Sequence, residues 1–269
     1  MSEVETDGFS SRSSQSPLEV YNMKNRRRGL ALIFNWIQFD PKLKMNPRYG
    51  SDRDCKNLEK SLTSFGFKVK VYNGNLTDSE VIAKLDEAAK ADHSDADCLL
   101  VVYMSHGEKD HVETFNKKLM ISDITDKFRG AECKGLAGKP KIFIWQACRG
   151  SVFDQPVDHI EESALEAGSV NAFPAGADFI MCYAVAEGYF AHRHKDKGSW
   201  YIKELCKQLE NYGDSLEFTE LLTLVNKNVS ERKGKGETVK GKMSKQIPCF
   251  ASMLTKELYL KKSSTKYDN

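Results

Sequence analysis

Cys148 stands in Trp145-Gln146-Ala147-Cys148-Arg149-Gly150, and His106 stands upstream of it in Met104-Ser105-His106-Gly107-Glu108. A thiol supplies a usable thiolate fraction near neutral pH and attacks carbonyl carbon well. An imidazole, with an ordinary pKa near ~6.5, can donate a proton to a leaving amine. A strand-end cysteine is more often a small buried hydrophobe, the role assigned here to Cys98, Cys182 and Cys249. A lone histidine is more often structural or solvated, as read for His93, His111 and His159. Cys148 and His106 differ because each directly follows its own apolar, strand-like run. Nucleophilic hydrolysis of an acyl bond is the chemistry such a pair can do.

The elements that must position this pair are legible as alternating patterns. Strand-like runs recur at Leu30–Ile37, Phe67–Tyr72, Cys98–Met104, Lys141–Trp145, Phe179–Val185 and Ile247–Leu254. Amphipathic helical patterns lie between them. Asp52–Phe65 places Cys55, Leu58, Leu62 and Phe65 on one face, and Ser79–Ala89 does so with Val81, Ile82, Leu85 and Ala89. Trp200–Leu209 and Leu216–Val229 add two more, and Thr77 with Glu80 forms a capping box. Strand–helix alternation predicts a largely parallel sheet covered on both faces. Ligands bind such sheets at the carboxyl ends of the strands, where His106 and Cys148 can converge.

Bulk properties exclude several classes. The chain has 269 residues, 40% of them hydrophobic, and a net charge of +2, too near neutral to imply nucleic acid. Basic residues cluster at 24–28 and 232–245, but without interleaved aromatics they read as solvated faces. No apolar run approaches the ~20 residues that cross a bilayer. The first residues, acids and hydroxyls, carry no secretory signal. Seven scattered cysteines without any Cys-x-x-Cys suit free thiols in a reducing compartment. The expectation is a cytoplasmic protein with no nucleic-acid or membrane partner, no metal and no cofactor. Residues 1–20 read as a disordered leader, and 151–175 (acidic, without Lys or Arg) and 230–245 (basic, with three glycines) as exposed loops.

Gln146-Ala147-Cys148-Arg149-Gly150 matches the caspase signature, which also calls for an upstream histidine. The resemblance extends from Tyr21 to Leu260 through Arg48-Tyr49-Gly50-Ser51-Asp52-Arg53-Asp54, Gly138-Lys139-Pro140-Lys141, Gly198-Ser199-Trp200 and Gln246-Ile247-Pro248-Cys249-Phe250-Ala251-Ser252. It is nearest to the short-leader executioner caspases. That resemblance implies an α/β caspase-like fold, a six-stranded mostly parallel sheet flanked by helices, dimerising through the C-terminal strand. It implies a cysteine endopeptidase that cuts after aspartate, with an executioner role in apoptosis. The backbone N–H groups of Gly107 and Cys148 would hold the oxyanion, and the carbonyl of Asn46 would orient His106. Arg48, Gln146 and Arg193 would bind the aspartate, with Phe190, His192 and Trp200 along the substrate groove. Arginine suits the task because its planar fork grips a carboxylate bidentately.

The same resemblance implies a zymogen. Residues 1–20 would be a leader cut after Asp7, and 21–155 the large subunit. Residues 151–175 would be an intersubunit linker whose candidate sites are Asp154, Asp158 and Glu162. The small subunit would be 176–260, with a tail at 261–269. Partners would be protein substrates with aspartate before the scissile bond, a second large–small pair, a paralogous caspase, or an inhibitor-of-apoptosis protein. Departures lie in 184–194, where Glu187 replaces a proline, His192 replaces a substrate-walling tryptophan, and Ala191 and His194 also differ. They support the alternative of a catalytically weak decoy that dimerises with an active paralogue. The intact Cys148, His106, Arg48 and Arg193 weigh against it.

Overall fold

The computed structural model describes residues 17–130, 132–150, 176–189, 191–232, 238–239, 242–243 and 245–262. In chain order the strands are β1 (Leu30–Asn35), β2 (Lys68–Asn73), β3 (Leu99–Met104), β4 (His111–Glu113), β5 (Lys118–Met120), β6 (Lys141–Gln146), β7 (Phe179–Tyr183), β8 (Arg193–His194), β9 (Gly198–Ser199), β10 (Thr238–Val239), β11 (Lys242–Met243) and β12 (Cys249–Ser252). The α-helices are α1 (Ser51–Ser64), α2 (Asp78–Ala89), α3 (Ile121–Thr125), α4 (Trp200–Tyr212) and α5 (Phe218–Ser230). Six strands form one sheet in the order β12-β7-β6-β3-β1-β2. Every neighbouring pair is parallel except β12 with β7.

Sequence chemistry explains the layering. β1, β3, β6 and β7 are buried at every position, as strands covered on both faces must be. Alternate residues serve opposite layers. Ala31, Ile33, Leu100, Val102, Ile142 and Ile144 pack against α1, α4 and α5. Leu32, Phe34, Leu99, Val101, Phe143 and Trp145 pack against α2 and α3. Edge strand β2 alternates Lys and Val and is only partly buried. The Thr77–Glu80 capping box forms at the start of α2.

Several boundaries differ from the sequence pattern. The last strand spans Cys249–Ser252 rather than Ile247–Leu254, with Ile247 keeping one backbone hydrogen bond, from Ala186 N–H. In α2 the fully buried face is Val81, Leu85 and Ala88, while Ala89 is only partly covered. The segment read as the loop 230–245 contains the β10–β11 ribbon, and α5 extends to its first residue. Cys98 and Cys182 are buried as expected, but Cys249 is only half-buried, with its sulfur 3.7 Å from an Nη of Arg149.

Candidate active site

The register of the two central strands brings the chemistry together. Met104 at the end of β3 pairs with Gln146 at the end of β6, and His106 and Cys148 each stand two residues further on. Gly107 joins the two loops. A Cβ there would fall 2.7 Å from the His111 carbonyl oxygen and 3.2 Å from the Ala147 Cβ, so only glycine permits the approach. His106 Nε2 lies 2.8 Å from the Asn46 carbonyl oxygen. A carbonyl only accepts, so Nε2 carries the proton and Nδ1 is left as a proton acceptor. The ring also packs on Phe39, centroids 5.0 Å apart. Burial, and then the charges of Arg48 and Arg193, lower the affinity of His106 for a second proton.

Cys148 is half-buried at the loop surface. Other thiols are poor nucleophiles by environment: burial pushes Cys55 up to about 11 and Cys98 and Cys206 to about 12. Cys148 lies within Coulombic reach of both Arg48 and Arg193.

Arg48 is 1% exposed, and its guanidinium donates to main-chain carbonyls at the ends of three strands. Nη1 reaches the oxygens of Trp36 and Met104, each at 2.8 Å, and Nη2 reaches Gln146 at 3.4 Å. Its Nε is buried without a hydrogen-bond partner, as is the side-chain amide oxygen of the adjacent Gln146. Burial, with the charge of Arg193, lowers the Arg48 pKa to about 9. Arg193 enters from β8, where its Nε donates to the Tyr49 carbonyl at 3.0 Å. Burial likewise lowers its pKa. Among the described residues both guanidiniums donate to main-chain carbonyls, and a buried cation beside a half-buried one makes a receptor for an anion.

Asp54, in the first turn of α1, explains how Arg193 is held. Both its carboxylate oxygens lie 2.9 Å from the Ser199 N–H, in the hairpin that carries Arg193. Gly198, at φ +75°, has no Cβ because one would fall 2.2 Å from the Asp54 oxygen. Ser199 also caps α4 through Ile202 N–H. His192 and Trp200 flank the same hairpin. The His192 ring stacks on Trp200 at 4.6 Å, and its backbone N–H donates to Gln246 Oε1 at 2.7 Å. Ala191 packs into the core layer under α4.

The structure therefore places Asn46, Arg48, His106, Gly107, Gln146 and Cys148 around the carboxyl ends of β3 and β6, with Arg193 brought beside Arg48 by the hairpin that His192 and Trp200 flank. Phe190, Asp7, Asp154, Asp158 and Glu162 lie outside the described residues. Among the described residues, no group of three or more His, Cys, Asp or Glu is arranged to hold a metal ion. The sequence alone assigned no role to Asp54, which anchors the hairpin of Arg193, or to Lys109, which pairs with Glu187. Nothing in the local sequence signals either role.

Residues 28–259 match the family model described as Caspase domain. The chain is 48% identical to Caspase-6 of Mus musculus over 271 residues, covering 95% of this chain and 97% of that protein. It is 47% identical to Caspase-6 of Gallus gallus over 268 residues, 95% of this chain and 88% of the other. Against Caspase-7 of Gallus gallus the identity is 37% over 250 residues, with 91% and 81% covered.

Burial raises the Asp54 carboxyl from 3.8 to about 6. A group raised in this way contributes stability below its unfolded pKa and loses it as pH climbs through the folded value. Asp54→Asn removes the titration. Its unfolding midpoint should therefore gain on that of the parent between about pH 4 and about pH 7. Urea melts of both proteins across that range check this, and a constant difference would contradict it.

Proposed function

The chain belongs to the caspase family, and on that premise we propose that its aspartate-directed cysteine endopeptidase chemistry is run by Cys148, His106 and the Arg48–Arg193 pair. The carrying observation is that pair: two guanidiniums beside the reactive loops, Arg48 buried and Arg193 half-buried, whose acceptors are main-chain carbonyls. A substrate aspartate supplies the missing anion. Its carboxylate would meet Arg48 and Arg193, with the amide of Gln146 beside them. Asparagine in its place would leave buried donors unmet, so discrimination should be steep.

In the reaction, His106 Nδ1 accepts the proton of Cys148, and the thiolate attacks the carbonyl carbon after the aspartate. The N–H groups of Gly107 and Cys148 would stabilise the oxyanion. The imidazolium then gives its proton to the departing amine, leaving a thioester on Cys148. Water, activated by the same imidazole, hydrolyses the thioester and frees the thiol. The Asn46 contact supports this assignment, because it fixes the tautomer that the first step needs.

The family reading extends to an executioner role in apoptosis, carried out in the cytoplasm by a dimer of large–small pairs. β12 is an antiparallel edge strand, so its outer edge is where a two-fold mate would pair. No helix among the described residues is long and apolar enough to cross a membrane. Maturation would proceed by cutting after Asp7 and at Asp154, Asp158 or Glu162, and regulation through a paralogous caspase or an inhibitor-of-apoptosis protein. The decoy alternative rested on Glu187, Ala191 and His192. The last two are built into the groove wall and its packing, and Glu187 has a place of its own described below.

Cys148→Ala should abolish peptide cleavage and self-processing while leaving the oligomeric state unchanged. Peptide assays with sedimentation measure both, and a reagent that inactivates the protein while labelling another cysteine would refute the nucleophile.

Arg193→Ala removes a charge-assisted anchor worth roughly 1.5–3 kcal/mol per hydrogen bond. Turnover of Asp-ended peptides should fall by about two orders of magnitude while the fold persists. Comparable cleavage of Asn- and Asp-ended peptides by the parent protein would sink the assignment.

A further inference from the structure

Glu187 departs from the family pattern and touches neither the arginine pocket nor the groove wall. It lies in the loop after β7, where one of its oxygens is 2.6 Å from Lys109 Nζ and the other 3.7 Å from an Nη of Arg149. Lys109 belongs to the loop of His106, and Arg149 adjoins Cys148. One carboxylate therefore contacts both loops that bear the reactive pair.

Arg149 is fixed from several directions. Its guanidinium lies over the Tyr183 ring at 4.1 Å. Its backbone N–H donates to the Tyr189 carbonyl at 3.1 Å, and its own carbonyl accepts from Gly188 N–H at 2.9 Å. Lys109 is 49% exposed, and Glu187 is its one ion-pair partner among the described residues. Beyond Ser105 the hydrogen bonds of the His106 loop run elsewhere: Glu108 N–H to the His111 carbonyl, Glu113 N–H to the His106 carbonyl, and the ring to Asn46. These tie the loop to its own hairpin and to the segment before α1. Across to the Cys148 loop there are the Ser105 N–H bond to the Gln146 carbonyl at 3.3 Å where the strands end, the close approach of Gly107 to Ala147, and, further out along the loop, Glu187.

We propose that Glu187 is a positioning residue, an ionic clasp that holds the His106 loop in register with the Cys148 loop. The proposal rests on the catalytic reading of that pair. Small displacements between reacting groups cost rate far more than binding, so the clasp acts on kcat. The arginine pocket has separate anchors in Tyr49, Trp36, Met104 and Gln146, so KM for an Asp-ended peptide is left alone. Lys109 and Arg149 precede residues 151–175 and Glu187 follows them, so the clasp would also bind together the two products of a cut in that segment. Half-exposed pairs are weak and screened by salt, so the expected effect is a few-fold.

The test is a double-mutant cycle in the full-length chain: Lys109→Gln, Glu187→Gln and both together, with kcat, KM and thermal midpoints measured at low and high salt. Each single change should lower kcat about three- to tenfold at low salt. KM and the midpoints should hold, and the double variant should be no worse than Glu187→Gln. High salt should bring the parent's kcat toward that of Glu187→Gln. Unchanged kcat in the single variants, losses that multiply in the double, or an effect confined to KM would each overturn the clasp. A parent that cuts no Asp-ended peptide would overturn the catalytic reading, and the clasp with it. A parent that cuts while the cycle is additive overturns the clasp alone.

Discussion

One buried guanidinium organises the reactive end of this molecule. Where the parallel strands end, the carbonyls of Met104 and Gln146 each accept one N–H, from Trp36 and Ser105, and keep a second lone pair for another donor. Arg48 gathers those of Trp36, Met104 and Gln146, at the exits of β1, β3 and β6. His106 and Cys148 leave the sheet two residues after the last two of these. The residue that ties the starts of the reactive loops is therefore also the one that, in the proposed function, would offer charge to the substrate. That economy is costly: burial and the nearby Arg193 disfavour the cation enough to pull its pKa to about 9. A purely structural tie would be cheaper if neutral, so the retained charge argues for recognition.

Arg193 completes the pocket from a different part of the chain, and Asp54 makes the combination tolerable. Two like charges repel, and an ionised carboxylate near both offsets that repulsion. Asp54 also grips the Ser199 N–H, which sets the hairpin of Arg193 and the first turn of α4 in one step. Its neutral form is favoured by burial, so the offset comes at the expense of its own ionisation. The same positive field reaches His106 and helps keep the ring neutral, the state that can take a proton from Cys148.

Much of this was legible in the sequence, for a physical reason. Short apolar runs rich in β-branched and aromatic residues suit strands covered on both faces, so β1, β3, β6 and β7 were visible, and with them the exits at Ser105 and Ala147. The Cys148 motif and the Arg48 and Arg193 segments stood out as strings of residue types. What remained hidden depends on three-dimensional neighbours. Nothing in Ser-Asp-Arg-Asp says that Asp54 is buried against Ser199, well over a hundred residues away in the chain. Nothing in Gly-Glu-Lys-Asp pairs Lys109 with Glu187. The strand read at 247–254 is regular only over Cys249–Ser252, although backbone hydrogen bonds run on at both ends, from Ala186 N–H to the Ile247 carbonyl and from Met253 N–H to that of Phe179.

The most direct test of the account is residue-resolved amide hydrogen exchange on Arg48→Lys against the parent. A lysine keeps the charge but lacks the planar fork that spans three carbonyls. Trp36 N–H donates to Met104 and Ser105 N–H to Gln146, so both amides report directly on the tied strand ends. If Arg48 holds those ends, both should exchange about tenfold faster or more in the variant, as expected for losing a hydrogen bond of roughly 1–3 kcal/mol. Amides in the middle of β1 and β3 should be unchanged. Equal protection at Trp36 and Ser105 in the two proteins would show that the strand ends hold themselves, and the central role of Arg48 would be lost.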